Sequence, residues 1–296
     1  MKLPAPLTDK AFEDAVDAMV EERIREFQPP TSRVLFHYTD PTGFLGIVRD
    51  RLIYATDSRF MNDPRESRHA FDLLRAEADD VTNVAIEDLC KRDVLLKHSS
   101  YLTCLSELGD SLGQWRAYGA DGLGFAVGLD TAAIPKTAAQ VGDDAAVTTA
   151  LPVLFRVIYD DAKKRRFLGD VKDLLTYSQT LGAPLQKTAF SGAQRLMSLF
   201  AMTFKHSAFA EEKEWRLTWL GGFMGNRQAW PRKFRATQRY GLAPYLEWNL
   251  QVDDVSPIRE VRLGPRNRAE TLGVCRTLLD EHRCAAQVYE SAVPYH

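Results

Sequence analysis

Cysteine is scarce in this chain: four residues, Cys90, Cys104, Cys275 and Cys284, are spread over 296 positions with no C-x-x-C pair. That spacing argues against a disulfide framework or a zinc knuckle and fits a reducing compartment. Long apolar runs are missing as well. The longest stretches, Leu151 to Val157 and Trp215 to Phe223, are broken by Arg or Gly and fall well short of the roughly 20 residues a membrane helix needs. Met1-Lys2-Leu3-Pro4-Ala5-Pro6 leads straight into the charged segment Asp9 to Glu26, which leaves no apolar core for a signal peptide. The expected location is the cytoplasm, with no membrane partner. Nor does either sign of charge dominate. With 38 Lys and Arg against 40 Asp and Glu, the net charge is -2, and the whole-molecule field leaves no footprint for unspecific nucleic-acid binding. A nucleic acid would need a local basic rim, for which Arg227 to Arg239 is the candidate.

Several signatures of common chemistry are absent too. Gly122 and Gly124 precede a strand rather than follow one, so there is no dinucleotide-binding G-x-G-x-x-G loop, and no Walker or G-x-S-x-G motif occurs. Rossmann hydride transfer, P-loop chemistry and α/β-hydrolase chemistry are not expected on that ground. His37, His69, His98, His206, His282 and His296 show neither H-x-x-x-H nor H-E-x-x-H spacing, so no metal is expected.

What is present is the composition of a globular protein, 45% hydrophobic and 26% charged. Apolar residues at helical spacing from Phe12 to Phe27 predict an opening helix, capped by Thr8 or Asp9. Strands are predicted at Val34 to Tyr38, Arg51 to Thr56, Tyr101 to Ser106, Gly124 to Leu129, Leu151 to Tyr159, Glu214 to Leu220, Ile258 to Leu263 and Ala286 to Tyr289. Short helices follow Asp40-Pro41 and Asn62-Asp63-Pro64, where an Asn or Asp cap precedes Pro at the first helical position. A further short helix spans Ser111 to Tyr118, and a final one Asn267 to His282. Strands at both ends with helices between and outside them give the class α+β. The whole chain, 1–296, reads as a single domain: an N-terminal helical extension at 1–30, a mixed-sheet core from 31–130 and 209–290, and a helical insertion at 160–208. The Ala- and Asp-rich stretch Thr131 to Thr149 is too short to separate two cores.

Polar stations on these apolar elements are the candidate sites. His37, at the exit of a buried strand, has Thr39 beside it, so an imidazole and a hydroxyl could clamp a sugar diol. As a core histidine it would instead be satisfied by a backbone carbonyl. Tyr54 could offer a ring face for stacking at a sheet edge. In Glu211-Glu212-Lys213-Glu214-Trp215-Arg216, alternation would put Glu212, Glu214 and Arg216 on one face and Trp215 and Leu217 on the other. An Arg flanked by Trp215 and Leu217 needs a carboxylate partner. Asn62 is accounted for as a cap residue, whereas Glu66 is not. Trp115 and Tyr118 share one helix face, which suits core packing.

Taken in order, His37-Tyr38-Thr39, Asn62-Asp63-Pro64-x-Glu66, Leu105-Ser106, Trp115-x-x-Tyr118, Gly122-x-Gly124-Phe125, Lys205 with Glu212-x-Glu214-Trp215-Arg216, Pro244-Tyr245 and Val261-x-Leu263-Gly264-Pro265 resemble the bacterial domain of unknown function 2971 family over about residues 34–266. The family name itself carries no activity. More distantly, His37-x-Thr39, Tyr54-Ala55-Thr56-Asp57 and Glu212-x-Glu214 resemble the ordered motifs of ADP-ribosyltransferases. That resemblance implies a split-sheet core and NAD as substrate. His37 and Thr39 would hold a ribose, Tyr54 or the competing Tyr101 would stack on nicotinamide, and Glu214 would stabilise the oxocarbenium-like transition state. Glu212 would orient the acceptor, with Glu66, Tyr101, Trp115 and Tyr118 lining the site and Asn62, Ser106 and Arg216 beside the cofactor. The acceptor could be protein, RNA, DNA or water, and a toxin or phage-defence effector is the setting implied. Competing expectations are a nuclease-like acidic metal site at Glu66, Glu212, Glu214 and Arg216, and a non-catalytic nucleotide sensor.

Overall fold

The computed structural model describes residues 8–61, 66–80, 82–91, 100–134, 153–219, 232–237, 241–250 and 256–295. Chain order within them is α1 (Asp9–Phe27), β1 (Val34–Thr39), α2 (Pro41–Arg49), β2 (Leu52–Asp57), α3 (Glu66–Ala76), α4 (Asn83–Lys91), β3 (Tyr101–Ser106), α5 (Leu112–Tyr118), β4 (Phe125–Asp130), β5 (Val153–Arg156), α6 (Asp161–Thr180), α7 (Leu185–Thr203), β6 (Glu214–Trp219), β7 (Lys233–Thr237), β8 (Gly241–Asn249), β9 (Ile258–Leu263), α8 (Glu270–Glu281) and β10 (Gln287–Glu290). The class is α+β, as the sequence predicts.

The expected caps form. Thr8 accepts from the Ala11 amide at the start of α1, and Asp40 accepts from the Gly43 amide at 2.7 Å, with Pro41 opening α2.

The ten strands make one mixed sheet in the order β10-β9-β4-β1-β3-β2-β8-β7, with β6 also on β3 and β5 on β6. All pairs are antiparallel except β9 with β10. Two strands share one edge of β3. β1 runs against β4 along Val34 to Thr39 but meets β3 only at Phe36↔Ser106. β2 runs against β8 along Leu52 to Thr56 but meets β3 only at Thr56↔Leu102 and Asp57↔Tyr101. Across the other edge, β6 pairs with all of Tyr101 to Ser106. Between the two short contacts, Thr103, Cys104 and Leu105 face a gap where β1 and β2 part.

One face of the sheet, carrying Leu35, Ile53, Leu105, Leu217 and Trp248, is covered by Phe44 and Ile47 of α2 and by Cys275 and Leu279 of α8. A second core lies among α1, α3, α4, α6 and α7, with Phe155 of β5 joining it to the sheet. Here Phe27 packs its ring 5.0 Å from Phe167 and 6.0 Å from Phe200, and Arg23 Nε donates to Asp170 at 2.6 Å. The opening helix and the helical block therefore form one body with α3 and α4.

Three features differ from the sequence expectations. β7 and β8 are absent from the strands that the sequence predicts. β7 is short and charged, and Pro244 inside β8 argues against a strand, since Pro cannot donate to a ladder. Pro244 sits one position beyond the β8 ladder to β2 and faces Phe234 of the edge strand. Third, Glu212 does not continue the alternation of β6, because it ends a 3-10 turn (Ser207–Glu212) and Lys213 takes a left-handed φ of 47° before the strand begins. Asn62, the side chain of Glu66, and all of the expected basic rim except 232–237 lie outside the described residues.

Candidate functional site

The gap beside β3 leaves backbone polar groups that a continuous ladder would have paired, and buried groups of this kind must find partners. His37 supplies one: its Nδ1 lies 3.0 Å from the Cys104 carbonyl oxygen. A carbonyl only accepts, so Nδ1 carries the proton of the neutral ring, and Nε2 is left as an acceptor. Burial lowers the His37 pKa, and the Arg235 guanidinium lowers it further against the opposing effect of that hydrogen bond. The ring is therefore neutral at physiological pH. Thr103 supplies another partner, donating its hydroxyl to the Tyr54 carbonyl at 3.0 Å.

On the other side of β3, Ser106 stands opposite Glu214 and Cys104 opposite Arg216. The carboxylate sought for Arg216 is Glu214 itself. Arg216 Nε donates to Oε1 at 2.7 Å and Nη2 to Oε2 at 3.2 Å, while Nη1 donates to the Met202 carbonyl at 2.8 Å. Lys205, at the end of α7, donates to Glu214 Oε2 at 2.9 Å and to Glu212 Oε2 at 2.6 Å. Burial alone would raise the pKa of Glu214. Arg216 and Lys205 overcome this, with hydrogen bonds from Arg216 and Cys104 adding to their effect, and hold it at about 2. Burial, with Glu214 beside it, pushes the Cys104 thiol well up, so it is a protonated donor rather than a nucleophile.

Two tyrosines close this cluster. The Glu214 amide donates to the Tyr159 hydroxyl at 3.1 Å. Tyr118 and Tyr159 are both raised by burial first and then by the nearby carboxylates, Glu212 for Tyr118 and Glu214 for Tyr159. The two carboxylates differ in access: the side chain of Glu212 is 20% exposed and that of Glu214 only 6%. Ser106 donates to the Glu212 carbonyl at 2.7 Å, which fixes the turn before β6.

The expected residues thus divide. His37, Tyr54 and Glu214 converge on Thr103 and Cys104: His37 on the Cys104 carbonyl, Tyr54 through its carbonyl on Thr103, and Glu214 on the Cys104 thiol. Ser106, Tyr118, Glu212 and Arg216 belong to the same cluster. Thr39 lies against the start of α2, where a Cβ on Gly43 would collide with its hydroxyl oxygen. Trp115 is fully buried, donates to Asp110 at 2.7 Å and packs edge-on against Tyr38, so it is a structural residue. Tyr101 is buried in the sheet core, whereas Tyr54 is half-buried. The Tyr54 ring lies 4.4 Å from that of Tyr245.

Among the described residues, no group of three or more His, Cys, Asp or Glu is placed to hold a metal ion, and Glu212 and Glu214 both bond Lys205. The sequence motifs do not single out Cys104 or Tyr159, they give Tyr245 and Lys205 no role, and Arg235 enters only as part of the expected basic rim. The one signal for it is Lys205 itself, a lone cation ending an apolar helix a few residues ahead of Glu-x-Glu.

The geometry can be set beside known proteins. No curated protein and no solved structure matches the chain. Residues 114–217, which span α5 to β6 and include Tyr118, Lys205, Glu212, Glu214 and Arg216, match the model of a family described as a protein of unknown function, DUF2971.

Proposed function

We propose that this chain is an ADP-ribosyltransferase-like enzyme. In this reading it binds NAD where β1 and β2 part, cleaves the nicotinamide glycosidic bond and transfers ADP-ribose to a macromolecular acceptor. The observation that supports this reading is that the His37 ring, the Tyr54 carbonyl and the Glu214 carboxylate all bond Thr103 or Cys104, two consecutive residues of β3, from three separate strands.

His37 Nε2 accepts a ribose hydroxyl while Nδ1 anchors the ring to Cys104, and Tyr54 offers its ring to nicotinamide. As the C–N bond breaks, its electron pair leaves with neutral nicotinamide and positive charge develops on the ribose. A carboxylate fixed nearby in a site that excludes water stabilises that charge. A carboxylate has about four acceptor positions. Those of Glu214 are taken up by Arg216, Lys205 and Cys104, so Glu214 fixes the cations and the more exposed Glu212 meets the sugar. The acceptor nucleophile then bonds to the ribose carbon and loses its proton.

The test is incubation of the purified protein with NAD while nicotinamide release is followed, with and without cell lysate. Release that is lost in Glu212→Gln is expected. No release under either condition overturns the enzyme reading, and NAD binding without release leaves the nucleotide-sensor reading in its place.

A further inference from the structure

We propose that Arg235 of β7, together with the Tyr54–Tyr245 ring pair, forms a binding site for the phosphate of a nucleotide whose ring lies on the tyrosines. The site rests on the proposed function only in the use of Tyr54.

The register builds it. Tyr54 stands opposite Glu247, and Thr56 opposite Tyr245, across the β2–β8 ladder, while β7 flanks β8 with Lys233 opposite Tyr245. Alternation puts Tyr54, Thr56, Tyr245, Lys233 and Arg235 on one face. Arg235 reaches back across β8, and its Nη2 donates to Thr56 Oγ1 at 2.9 Å.

The charge pattern is uneven. Lys233, two residues earlier on the same face, is matched by Glu247 at 2.6 Å. Arg235 bonds a neutral hydroxyl, and among the described residues no carboxylate lies within ion-pair distance of it. A planar guanidinium with donors to spare, held by one hydroxyl, suits a phosphate, which it can meet with two parallel hydrogen bonds. Tyr54 and Thr56 are two residues apart on one strand, hence about 7 Å, which is the length scale of the sugar between a base and its phosphate. Thr56, which holds Arg235, is also where β2 meets β3 at Thr56↔Leu102, so the guanidinium of this edge strand reaches in beside the gap between β1 and β2.

A phosphate so placed could belong to a free dinucleotide or to a nucleic-acid strand, and the experiment separates these sources. Calorimetric titrations of the whole protein with ADP, with nicotinamide riboside, which has no phosphate, and with a short single-stranded RNA would be compared for wild type, Arg235→Gln and Arg235→Lys. We expect Arg235→Gln to weaken ADP or RNA binding at least tenfold and to leave the riboside unchanged, with Arg235→Lys in between. ADP binding identifies a free nucleotide as the source, and binding of RNA alone identifies a strand. Unchanged affinity in Arg235→Gln, an equal loss for the riboside, or no binding of any phosphate ligand by wild type overturns the site. Arg235-dependent ADP binding without nicotinamide release would keep this site and sink the transferase reading. Release with a Michaelis constant unchanged in Arg235→Gln would do the reverse.

Discussion

His37 Nδ1 lies 3.0 Å from the Cys104 carbonyl, on the stretch of β3 that neither β1 nor β2 pairs. The imidazole takes the place of a missing ladder bond. The sequence allows two readings of this residue, a core histidine satisfied by a carbonyl or a group that binds sugar. The geometry shows the first, and the bond that satisfies one nitrogen fixes the tautomer and direction of the other, which the proposed sugar contact would use.

Protonation of His37 should therefore be disabling. The neutral ring accepts at Nε2; the cation cannot. Because burial and Arg235 lower its pKa below the ordinary 6.5, nicotinamide release is expected to hold at pH 6.5 and fall only at lower pH. Removing the cation in Arg235→Gln should move the acid limb of the pH profile upward. An acid limb at the same pH in both proteins would mean that Arg235 and His37 do not interact.

Glu212→Gln and Glu214→Gln should fail in different ways. Gln at 212 removes one partner of Lys205 at a partly exposed position, so the fold should survive while turnover falls about a hundredfold or more, within the range of losing one transition-state contact. Gln at 214 leaves Arg216 and Lys205 buried with a neutral partner, a change of the kind that costs about 3–5 kcal/mol. Thermal unfolding should show a drop of several degrees for Glu214→Gln and almost none for Glu212→Gln. Equal unfolding temperatures would contradict the assignment of Glu214 as the anchor.

The same cluster contributes to the acid stability. Glu214 titrates at about 2 in the folded protein against an ordinary 4.5, so the unfolded chain binds its proton first. Its contribution is fully present above about pH 4.5 and is lost as pH falls toward 2, amounting to about 3 kcal/mol for a shift of this size. His37, with a lowered pKa, adds a loss that begins as pH falls below 6.5. Chemical denaturation at pH 7, 5 and 3 should show stability falling at each step, with the step from 5 to 3 smaller in Glu214→Gln, where Asp50, Asp130 and Asp161, also held below the ordinary carboxylate range, still contribute.

Legibility follows burial. Strands with apolar residues on their buried face, such as Val34–Thr39, Tyr101–Ser106 and Ile258–Leu263, announce themselves, and so do the helices opened by Asp40-Pro41 and Thr8. The strands that the pattern misses form a hairpin, β7 with β8, that joins the sheet only through the pairing of β8 with the distant β2. Lys233–Thr237 has no apolar face of its own beyond Phe234, and Pro244 disguises a strand whose Leu246 and Trp248 reach the sheet core. With them goes the placement of Tyr245 and Arg235 beside Tyr54 and Thr56. The ion cluster is half legible: the setting of Arg216 demands a carboxylate, but the left-handed Lys213 that breaks the alternation, and the return of Lys205 from α7, are tertiary facts.

Glycine substitutions probe the scaffold of the site and should have opposite signs at two positions. A Cβ on Gly124 would collide with the Thr39 carbonyl oxygen and lie 2.8 Å from that of Gly119, both backbone atoms held in place. The Gly124 carbonyl also receives the Gly264 amide at 2.9 Å and the Asn267 side chain at 3.1 Å, so it cannot move away without breaking the join between β4 and the start of the last helix. Gly124→Ala should lose on the order of 1–3 kcal/mol and, by displacing Thr39, weaken NAD binding as well. Gly169 lies inside α6, where an added Cβ would meet nothing within 4 Å. There, Ala should gain about 0.5–1 kcal/mol through helix propensity, with ligand binding unchanged. Urea unfolding of the two variants beside wild type decides the matter: a Gly124→Ala protein as stable as wild type would show that Thr39 and the Gly124 turn are not packed as closely as this fold requires.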